Sequence, residues 1–530
     1  MLNPRDVLAW LQDEPRFTGD DFETAHRLLV DPRATLSAGA PEIHPDRHDV
    51  IVVGGGVSGL TVAYRLRDRD VLLLEREPQP GGVAKSETWQ GLEYSIGAAY
   101  IIDPDPRSTD PRERAGFALL EELGLRGRGE DLATDRSRLR RQGSEAHHCF
   151  FSNRRVVPGA EVYSPRNRAF FEHVLDSDRY PSVPPTDPTL VEALDRVSFK
   201  RFLRDPAVQR KLYARTAGPF SRVGWEAIEY YCWGAFGTTA DETSAYHGLN
   251  FLAAEFGPTL VFPGGNGFIT RRLAERITQA GPRAIKTGAW TLRIEREAGG
   301  FGVITWEHGT LHRYLARAVV FAAPLFLAPL IVAGLPDAQR NAISSLQYRC
   351  YVVANVLLKR RVDRIFTDPA LRAGYELTRV HGIDPDHAAA EELSGRKVFS
   401  DAVVADFAIG RDASHAVLTV YRPYPYSSGR TDLIGREYRA IEEEVRREVL
   451  AGFGAHGLKA ADIEGIRLTR WGHPMIVARP GQLADGALGT ASQPQPGLYF
   501  AHTDVQGAPA YENAIASAHD AVEAIRKHLT

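Results

Sequence analysis

The chain has 530 residues, 43% of them hydrophobic, and its 64 lysines and arginines nearly balance its 67 aspartates and glutamates. This length predicts two or three domains with a sizeable core. The balanced charge excludes the strongly basic surface typical of proteins that bind nucleic acid or anionic lipid, so a small molecule is the expected partner.

The three cysteines, Cys149, Cys232 and Cys350, lie far apart, with spacing that fits neither a metal site nor a disulfide framework. We therefore expect buried reduced thiols, no bound metal and a cytoplasmic protein. The N-terminus lacks the basic flank and apolar core of a secretory signal. Residues 1–46 predict a helical extension. Its role stays open: it could cover the active site, contact a second copy in a homodimer or pack on the surface.

The first motif is a strand, a glycine turn, a helix and a second strand between His48 and Glu75. The apolar run at residues 48–53 leads into Gly-Gly-Gly-Val-Ser-Gly at positions 54–59, where a helical pattern begins. The next apolar run, residues 71–74, ends at Glu75, where an acid can accept hydrogen bonds from a ribose hydroxyl. This order is typical of a dinucleotide-binding βαβ unit.

Each glycine of that turn has its own task. Gly54 turns the chain, Gly56 lets the backbone approach a pyrophosphate, and Gly59 lets the helix pack closely on the strand. Val57 and Ser58 follow at the helix N-terminus, where unpaired N–H groups and a partial positive charge favour phosphate. We expect this turn to bind the cofactor.

A second glycine pair, Gly81-Gly82, follows the ribose acid. The order of strand, glycine turn, acid and second glycine pair resembles the flavin amine oxidase superfamily, in which the later glycines bring the backbone close to FAD. The sequence Gly-Gly-Val-Ala-Lys at positions 81–85 is most similar to the spermidine dehydrogenase branch and its uncharacterised bacterial relatives. The resemblance implies that Arg76, Gly82 and Lys85 contact FAD, with Lys85 in place of the more usual arginine.

The resemblance continues through the middle of the chain. Residues 97–100 are similar to the family's loop beside the flavin ring, and residues 262–267 to its characteristic glycine turn. A strand predicted at residues 285–294 would meet the adenine. The cofactor contacts implied by these segments are Gly97, Ala98, Ala99 and Thr291, with Tyr100 in the substrate pocket.

The predicted fold class is α/β, with a doubly wound, Rossmann-like FAD-binding domain interleaved with an α+β substrate domain. The FAD-binding domain comprises residues 47–105, 256–334 and 476–530. The substrate domain comprises residues 106–255 and 335–475, and its mixed sheet covers the flavin. The long apolar run at residues 318–334 contains two prolines, which predicts a strand, a turn and a short helix, so membrane contact is not expected.

The C-terminal segment is similar to the family's second FAD motif. A short strand at residues 498–501 precedes a helix predicted from Pro509 to Leu529 with an apolar stripe. In the family geometry, N–H groups near Ala510 and Tyr511 face the flavin pyrimidine ring and stabilise the negative charge that hydride transfer creates there.

Residues just before this helix are predicted to hold the rest of the cofactor. Either Thr503 or Asp504 would hydrogen-bond ribityl or phosphate oxygens. Because no cysteine lies near these positions, we expect FAD to be bound noncovalently.

The catalytic candidates come from position alone, since most flavin chemistry belongs to the cofactor. His247 and Tyr246 follow an aromatic run that contains Trp233, and either would orient substrate or exchange a proton. A core histidine is the alternative interpretation of His247. Trp471 and His473 precede the C-terminal motif at a spacing typical of pocket residues. The predicted substrate pocket is Tyr100, Trp233, Trp471 and Ala510.

Two positions depart from the amine oxidases of this superfamily. Ala510 occupies a place where the family has an aromatic residue beside the substrate nitrogen, and Val353 stands where it has a lysine that holds a water. The leading hypothesis is an FAD-dependent oxidoreductase that removes hydride from a C–N bond. An FAD-dependent C–C desaturase or double-bond isomerase of the same fold, and a noncatalytic flavin-binding module, are the alternatives.

Overall fold

A computed structural model describes residues 15–30, 32–37, 39–104, 111–126, 140–143, 148–152, 155–281, 284–380, 399–408, 413–425 and 428–529. The strands, numbered in chain order, are β1 Thr18–Gly19, β2 Glu42–Val53, β3 Val71–Leu74, β4 Ser86–Trp89, β5 Leu92–Ser95, β6 Tyr100–Ile102, β7 Arg140–Gly143, β8 His148–Ser152, β9 Arg155–Pro158, β10 Pro258–Val261, β11 Ile285–Lys286, β12 Trp290–Glu297, β13 Gly300–Glu307, β14 Thr310–Phe321, β15 Tyr348–Leu358, β16 Glu376–Arg379, β17 Asp401–Val404, β18 Ala416–Pro423, β19 Ile463–Ile476 and β20 Leu498–Phe500.

The helices of the same residues are numbered likewise. They are α1 Phe22–Ala25, α2 Arg33–Leu36, α3 Val57–Arg65, α4 Pro111–Glu122, α5 Gly159–Val162, α6 Pro165–Leu175, α7 Pro188–Leu194, α8 Phe199–Arg204, α9 Pro206–Tyr213, α10 Arg222–Ala235, α11 Ala245–Ala254, α12 Gly267–Ala280, α13 Ala328–Ile331, α14 Asp337–Ser345, α15 Val362–Ile365, α16 Pro369–Ala373, α17 Gly429–Ile434, α18 Tyr438–Phe453, α19 Ala487–Ala491 and α20 Tyr511–His528.

A seven-stranded sheet carries the dinucleotide motif. Its order is β11-β3-β2-β14-β13-β12, with β20 also paired to β14. The five strands β11, β3, β2, β14 and β20 run parallel to one another. Helices α3, α12 and α20 cover one face of the sheet, where Val50 and Val52 of β2 pack against them. Ile51 and Val53 pack on the opposite face. Both faces are therefore buried, as a parallel sheet requires.

An eight-stranded mixed sheet forms the second layer. Its order is β1-β19-β15-β18-β17-β16-β8-β9. Every residue of β15 is buried, because β15 lies between β18 and β19 and is covered on both faces. Except for β1, these strands come from the two long inserts, residues 106–255 and 335–475.

Three boundaries differ from those predicted. β2 begins at Glu42, so the N-terminal extension includes strand as well as short helices, and its residues 1–14 lie outside the described residues. The adenine strand predicted at 285–294 is interrupted at Gly288, which has a φ of +70°, and forms β11 and β12. The C-terminal helix begins at Tyr511, after Pro509.

The apolar run at residues 318–334 forms the end of β14, a turn and α13, as predicted. Among the described residues, none of the helices combines the length and apolar composition needed to cross a membrane. The three cysteines are buried free thiols, and burial raises the pKa of Cys149 and Cys350 to about 12.

Asp195 ties the first insert to the C-terminal segment that follows β19. Its buried carboxylate accepts hydrogen bonds from Ser244 Oγ at 2.6 Å and from the amides of Leu483 and Ala484 at 2.9 and 3.0 Å. Asp195→Ala leaves these donors buried without an acceptor, and we expect it to lower the free energy of unfolding by about 3 kcal/mol. Urea denaturation followed by circular dichroism measures the change. The matched variant at exposed Asp178, Asp178→Ala, should stay within about 0.5 kcal/mol of the parent.

Candidate functional site

A cavity of about 970 Å³ is lined by residues of both large sheets. It reaches from the end of β2 at Val53 to Tyr421 of β18, and its walls include the N-termini of helices α3 and α20. The volume is at the upper end of the range typical of small-molecule and cofactor sites. Segments from both ends of the chain therefore meet at one site.

Two glycines of the turn, Gly54 and Gly59, leave no space for a side chain. A Cβ atom on Gly54, whose φ is +107°, would lie 2.7 Å from the carbonyl oxygen of Ala322, and one on Gly59 would lie 1.9 Å from the carbonyl oxygen of Gly54. A Cβ on Gly82 would come within 3.1 Å of the Gly56 Cα. The glycine turn at residues 54–59 and the pair Gly81-Gly82 thus face each other, and their backbone forms one wall of the cavity.

Glu75 lies where a ribose would meet this turn. Its buried carboxylate lines the cavity and accepts hydrogen bonds from the Gly55 amide at 2.6 Å and from the Glu77 amide at 2.8 Å. These two bonds fix the orientation of the carboxylate and leave other lone pairs for ligand hydroxyls.

The opposite part of the cavity is lined by the start of α20, from Ala510 to Ala516. The Tyr511 hydroxyl is buried there, and the Thr291 hydroxyl is buried at the Glu75 end of the cavity, after Trp290. Neither has a hydrogen-bond partner within the described structure. Buried polar atoms without partners are rare in proteins, so they mark positions where a ligand supplies the bond. The glycine wall, the two helix N-termini and these hydroxyls together fit FAD.

Of the two candidates before α20, only Thr503 lines the cavity. Asp504 points into the protein, where its carboxylate accepts hydrogen bonds from the Leu325 amide at 2.8 Å and from the Tyr348 hydroxyl at 2.7 Å. Burial alone would raise the pKa of Asp504, but these bonds and the adjacent His502 lower it below the usual value. Asp504 therefore holds the loop that presents Thr503.

Most of the other predicted cofactor and pocket residues line the same cavity. They are Gly54, Gly56, Val57, Ser58, Glu75, Arg76, Gly82, Lys85, Gly97, Ala98, Ala99, Thr291, Tyr511, Tyr100, Trp471 and Ala510. Gly59 and Trp233 do not line it. Gly59 packs against Gly54 as its predicted role requires, whereas Trp233 is fully buried 5.9 Å from the Arg349 guanidinium.

The three catalytic candidates separate into two groups. His473 lines the cavity and stacks on Phe326 with ring centroids 4.2 Å apart. His247 and Tyr246 lie in the helical core and do not line the cavity, and the Tyr246 hydroxyl donates to the Ser182 carbonyl at 2.7 Å. Both positions are in the core, away from the cavity, as the alternative interpretation of His247 expected. That alternative was a histidine with satisfied hydrogen bonds, however, and within the described structure neither ring nitrogen of His247 has a partner.

Neither histidine carries a charge near neutral pH. Burial lowers the pKa of His247 to about 4, and burial together with the nearby Arg430 lowers the pKa of His473 to about 4. His473 therefore offers a neutral ring to the cavity.

Three carboxyl groups, which we call the acidic wall, line the cavity beside these residues, one on a buried residue, Glu376, and two on half-buried residues. They are Glu255 after α11, Glu376 in β16 and Asp401 in β17. Glu255 accepts hydrogen bonds from the hydroxyls of Tyr100 at 3.1 Å and Tyr231 at 3.4 Å. Within the described ranges, no lysine or arginine lies within 4.0 Å of the acidic wall.

Burial and mutual repulsion keep the acidic wall partly protonated. Burial raises the pKa of Glu255 to about 7 and that of Asp401 to about 6. Burial, followed by the charges of Glu255 and Asp401, raises the pKa of Glu376 well above its usual value. His148 lies 3.9 Å from Glu376, but burial lowers the pKa of His148 to about 4, so it brings no positive charge. The other titratable groups around the wall are Glu512, Tyr100, Tyr231, Tyr375 and Tyr421.

Sequence reasoning missed the acidic wall. Glu376 and Asp401 lie in strands of four residues, which are too short to show a clear alternation of apolar and polar residues. Glu255 directly follows an apolar helix and belongs to no motif. An acid inside a short apolar strand was the available signal, because such a residue is rarely buried without a function.

The two departures from the family pattern lie at the cavity. Val353 of β15 and Ala510 both line it, so the positions of the usual lysine and of one aromatic residue are occupied by small apolar side chains. Lys359 lies beyond the end of β15 and pairs with Glu464 at 3.4 Å.

A separate group of side chains has the composition of a metal site. Glu42, His44 and His312 bring one potential ligand atom each within 4.8 Å of the others, at the end of β2 remote from Gly54. His44 and His312 are hydrogen-bonded at 3.1 Å, and the Glu42 side chain is 63% exposed. These contacts join β2 to β14.

Comparison with known proteins decides the family. A profile described as flavin containing amine oxidoreductase matches residues 57–526. The chain belongs to this family. The predicted superfamily, the oxidoreductase class and the FAD cofactor are thereby confirmed.

Individual members of the family are similar over nearly the whole chain. Oxidoreductase PigB of Serratia sp. (strain ATCC 39006) is 25% identical over 96% of this chain and 79% of its own length. A redesigned putrescine oxidase aligns with a TM-score of 0.62 at 16% identity, over 91% of this chain and 99% of its own. Cyclohexylamine oxidase from Brevibacterium oxydans IH-35A aligns with a TM-score of 0.59 at 17% identity, over 91% and 100%. These structures confirm the predicted α/β fold.

The contact between the two glycine pairs gives a direct test of the cofactor site. Gly82→Val places a branched side chain against Gly56 at a residue with a φ of +58°, and we expect FAD affinity to fall at least about a hundredfold. Fluorescence titration of apoprotein with FAD measures the dissociation constant. Gly489→Ala, in a helix with open space around the added methyl group, is the control and should bind FAD like the parent. Equal affinities in the two variants would contradict the assignment.

Proposed function

We propose that this protein oxidises a small amine by removing hydride from the carbon bonded to nitrogen, giving an imine that hydrolyses. The acidic wall is the observation that carries this proposal. Glu255, Glu376 and Asp401 line the cavity, and within the described residues no lysine or arginine forms a salt bridge with any of them. The cavity's Arg76 and Lys85 are engaged elsewhere, Arg76 in an ion pair with Asp20 and Lys85 5.7 Å from the Trp471 ring. A ligand that brings its own positive charge would fit this wall.

The energetics favour a cationic ligand over a neutral one. Burying carboxylates without a cationic partner is costly, which explains their raised pKa values. An ammonium group placed among them removes that cost, because it provides charge and up to three N–H donors. The aromatic rings of Tyr100 and Tyr421 line the same part of the cavity and add faces that attract cations.

The acidic wall also supplies a proton acceptor. Bound FAD supplies the two-electron acceptor for the hydride, and the amine must first lose its ammonium proton so that its lone pair can form the C=N bond. Glu255, with a pKa of about 7, is suited to take that proton near neutral pH. The first turn of α20 lines the cavity, where its free N–H groups would stabilise negative charge. The Ala510 amide is not among them, because it donates to the Ala508 carbonyl at 3.1 Å.

The alternatives fit the wall less well. A C–C desaturase or isomerase acts on an apolar chain, which gives buried carboxyl groups nothing to bind. A noncatalytic flavin-binding module does not need a second, acidic compartment beside the cofactor. The names of putrescine oxidase and cyclohexylamine oxidase, which share the fold, add support for an amine.

Anaerobic mixing with substrates tests the reaction type. We expect primary or secondary alkylamines to bleach the flavin absorbance of the FAD-loaded protein, because hydride transfer reduces it. Polyenes of similar length, which lack a cation, should leave the absorbance unchanged. Bleaching by a polyene and by none of the amines would instead support the desaturase alternative.

Neutral isosteres of the acidic wall test its role. Asp401→Asn and Glu255→Gln each remove one negative charge, and we expect KM for the amine to rise about tenfold or more in each. Steady-state kinetics measure the change, and the flavin spectrum confirms that FAD is retained. Glu275→Gln removes an exposed carboxylate of α12 away from the cavity and should leave KM unchanged. An unaltered KM in both wall variants would refute the role.

The raised pKa values predict a pH dependence. At pH 6 Glu255 is mostly protonated, and it ionises as the pH rises through about 7, while an alkylamine stays protonated over this range. We therefore expect KM to fall several-fold between pH 6 and pH 8. In Glu255→Gln this fall should be largely lost. A KM that is constant or rises over the same range in the parent would contradict the assignment.

A further inference from the structure

The described part of the N-terminal extension runs along the cavity. Residues 15–30, which we call the N-terminal strap, begin with β1, whose Thr18 and Gly19 pair in parallel with Thr469 and Arg470 of β19. The strap then forms α1 and a helical turn from His26 to Val30. Its cavity-lining residues are Asp20, Phe22, Ala25, His26, Leu29 and Val30.

Asp20 fixes the strap between the two sheets. One carboxylate oxygen pairs with the Arg76 guanidinium at 2.7 Å, and the other accepts a hydrogen bond from the Gly472 amide at 2.8 Å. Burial acts to lower the pKa of Arg76, but the neighbouring carboxylates, Asp20 first, outweigh it and raise the pKa. Arg76 follows Glu75 directly and lies 5.3 Å from the Trp290 ring, so this contact places the strap at the ribose end of the cavity.

Apolar contacts hold the rest of the strap in place. Leu28 and Leu29 are 1% and 6% exposed, and Leu29 packs in the cluster that contains Leu292 and Ile331. Phe22 covers Gly472 so closely that a Cβ added there would lie 2.7 Å from the phenyl ring. The Arg470 guanidinium lies 4.3 Å from the same ring. The strap is therefore packed against both walls of the cavity.

We propose that the N-terminal strap is part of the FAD site: it forms the outer wall over the adenosine half of the cofactor and controls how fast FAD leaves. Glu75, Arg76, Trp290 and Thr291 form the inner wall of that half, and the strap lies across from them. Because the cofactor is bound noncovalently in this proposal, its release requires the strap to lift. Lifting exposes Leu28 and Leu29 and breaks the Asp20 contacts, which makes release slow.

Side-chain truncation on the cavity side of the strap tests this role. Leu29→Ala and Phe22→Ala weaken strap packing without touching the glycine turn, and we expect each to release FAD at least about tenfold faster than the parent. The rate is followed as flavin fluorescence rises after dilution of the holoprotein. Arg27→Ala and Glu23→Gln change exposed residues of the same strap that do not line the cavity, and their release rates should stay within about twofold of the parent. Leu29→Val, a smaller truncation, should give an intermediate rate.

A measurement on the unaltered protein guards against variants that fail to fold. Trypsin can cut after exposed Arg27 only when the strap is lifted enough to enter the protease, so we expect FAD to slow this cleavage at least about tenfold relative to apoprotein. Release rates for Leu29→Ala and Phe22→Ala within twofold of the parent, or cleavage at Arg27 unaffected by FAD, would overturn the proposal. None of these measurements uses an amine, so their failure is distinguishable from failure of the proposed reaction.

Discussion

The structure depends on the convergence of two helix N-termini on one cavity. Helix α3 begins at Val57 and helix α20 at Tyr511, near opposite ends of the chain, and both line the same space. A helix N-terminus presents unpaired N–H groups and a partial positive charge, so two of them create one site suited to an extended anionic cofactor. The parallel pairing of β14 with both β2 and β20 brings them together.

The second sheet contributes carboxyl groups of the acidic wall to the cavity. The mixed sheet carries Glu376 and Asp401 to the cavity, and helix α11 ends where Glu255 joins them. A protein that only stored FAD would not maintain buried carboxyl groups whose pKa values are raised by their burial. In the proposed function, a cationic substrate offsets the cost of the acidic wall, and its binding would place it beside the cofactor site.

Sequence reasoning found the cofactor site because local chemistry determines it. The tasks predicted for Gly54, Gly56 and Glu75 require these residue types at a fixed spacing, and such a spacing can be recognised in one sequence without an alignment. The acidic wall depends instead on long-range strand order, since β16 and β17 become neighbours of β18 only in the folded sheet. His247 was misplaced for the same reason: the aromatic run beside it packs in the helical core, and periodicity does not show which face of a buried helix meets a cavity.

A crystal structure of the FAD-loaded protein with a bound alkylamine tests the central claim most directly. The account predicts the diphosphate against Gly55 to Ser58 and Gly82, the flavin ring against the start of α20, and the amine nitrogen within hydrogen-bonding distance of Asp401, Glu376 or Glu255. Electron density for FAD away from both helix N-termini, or an amine nitrogen bound far from all three carboxyl groups, would contradict it.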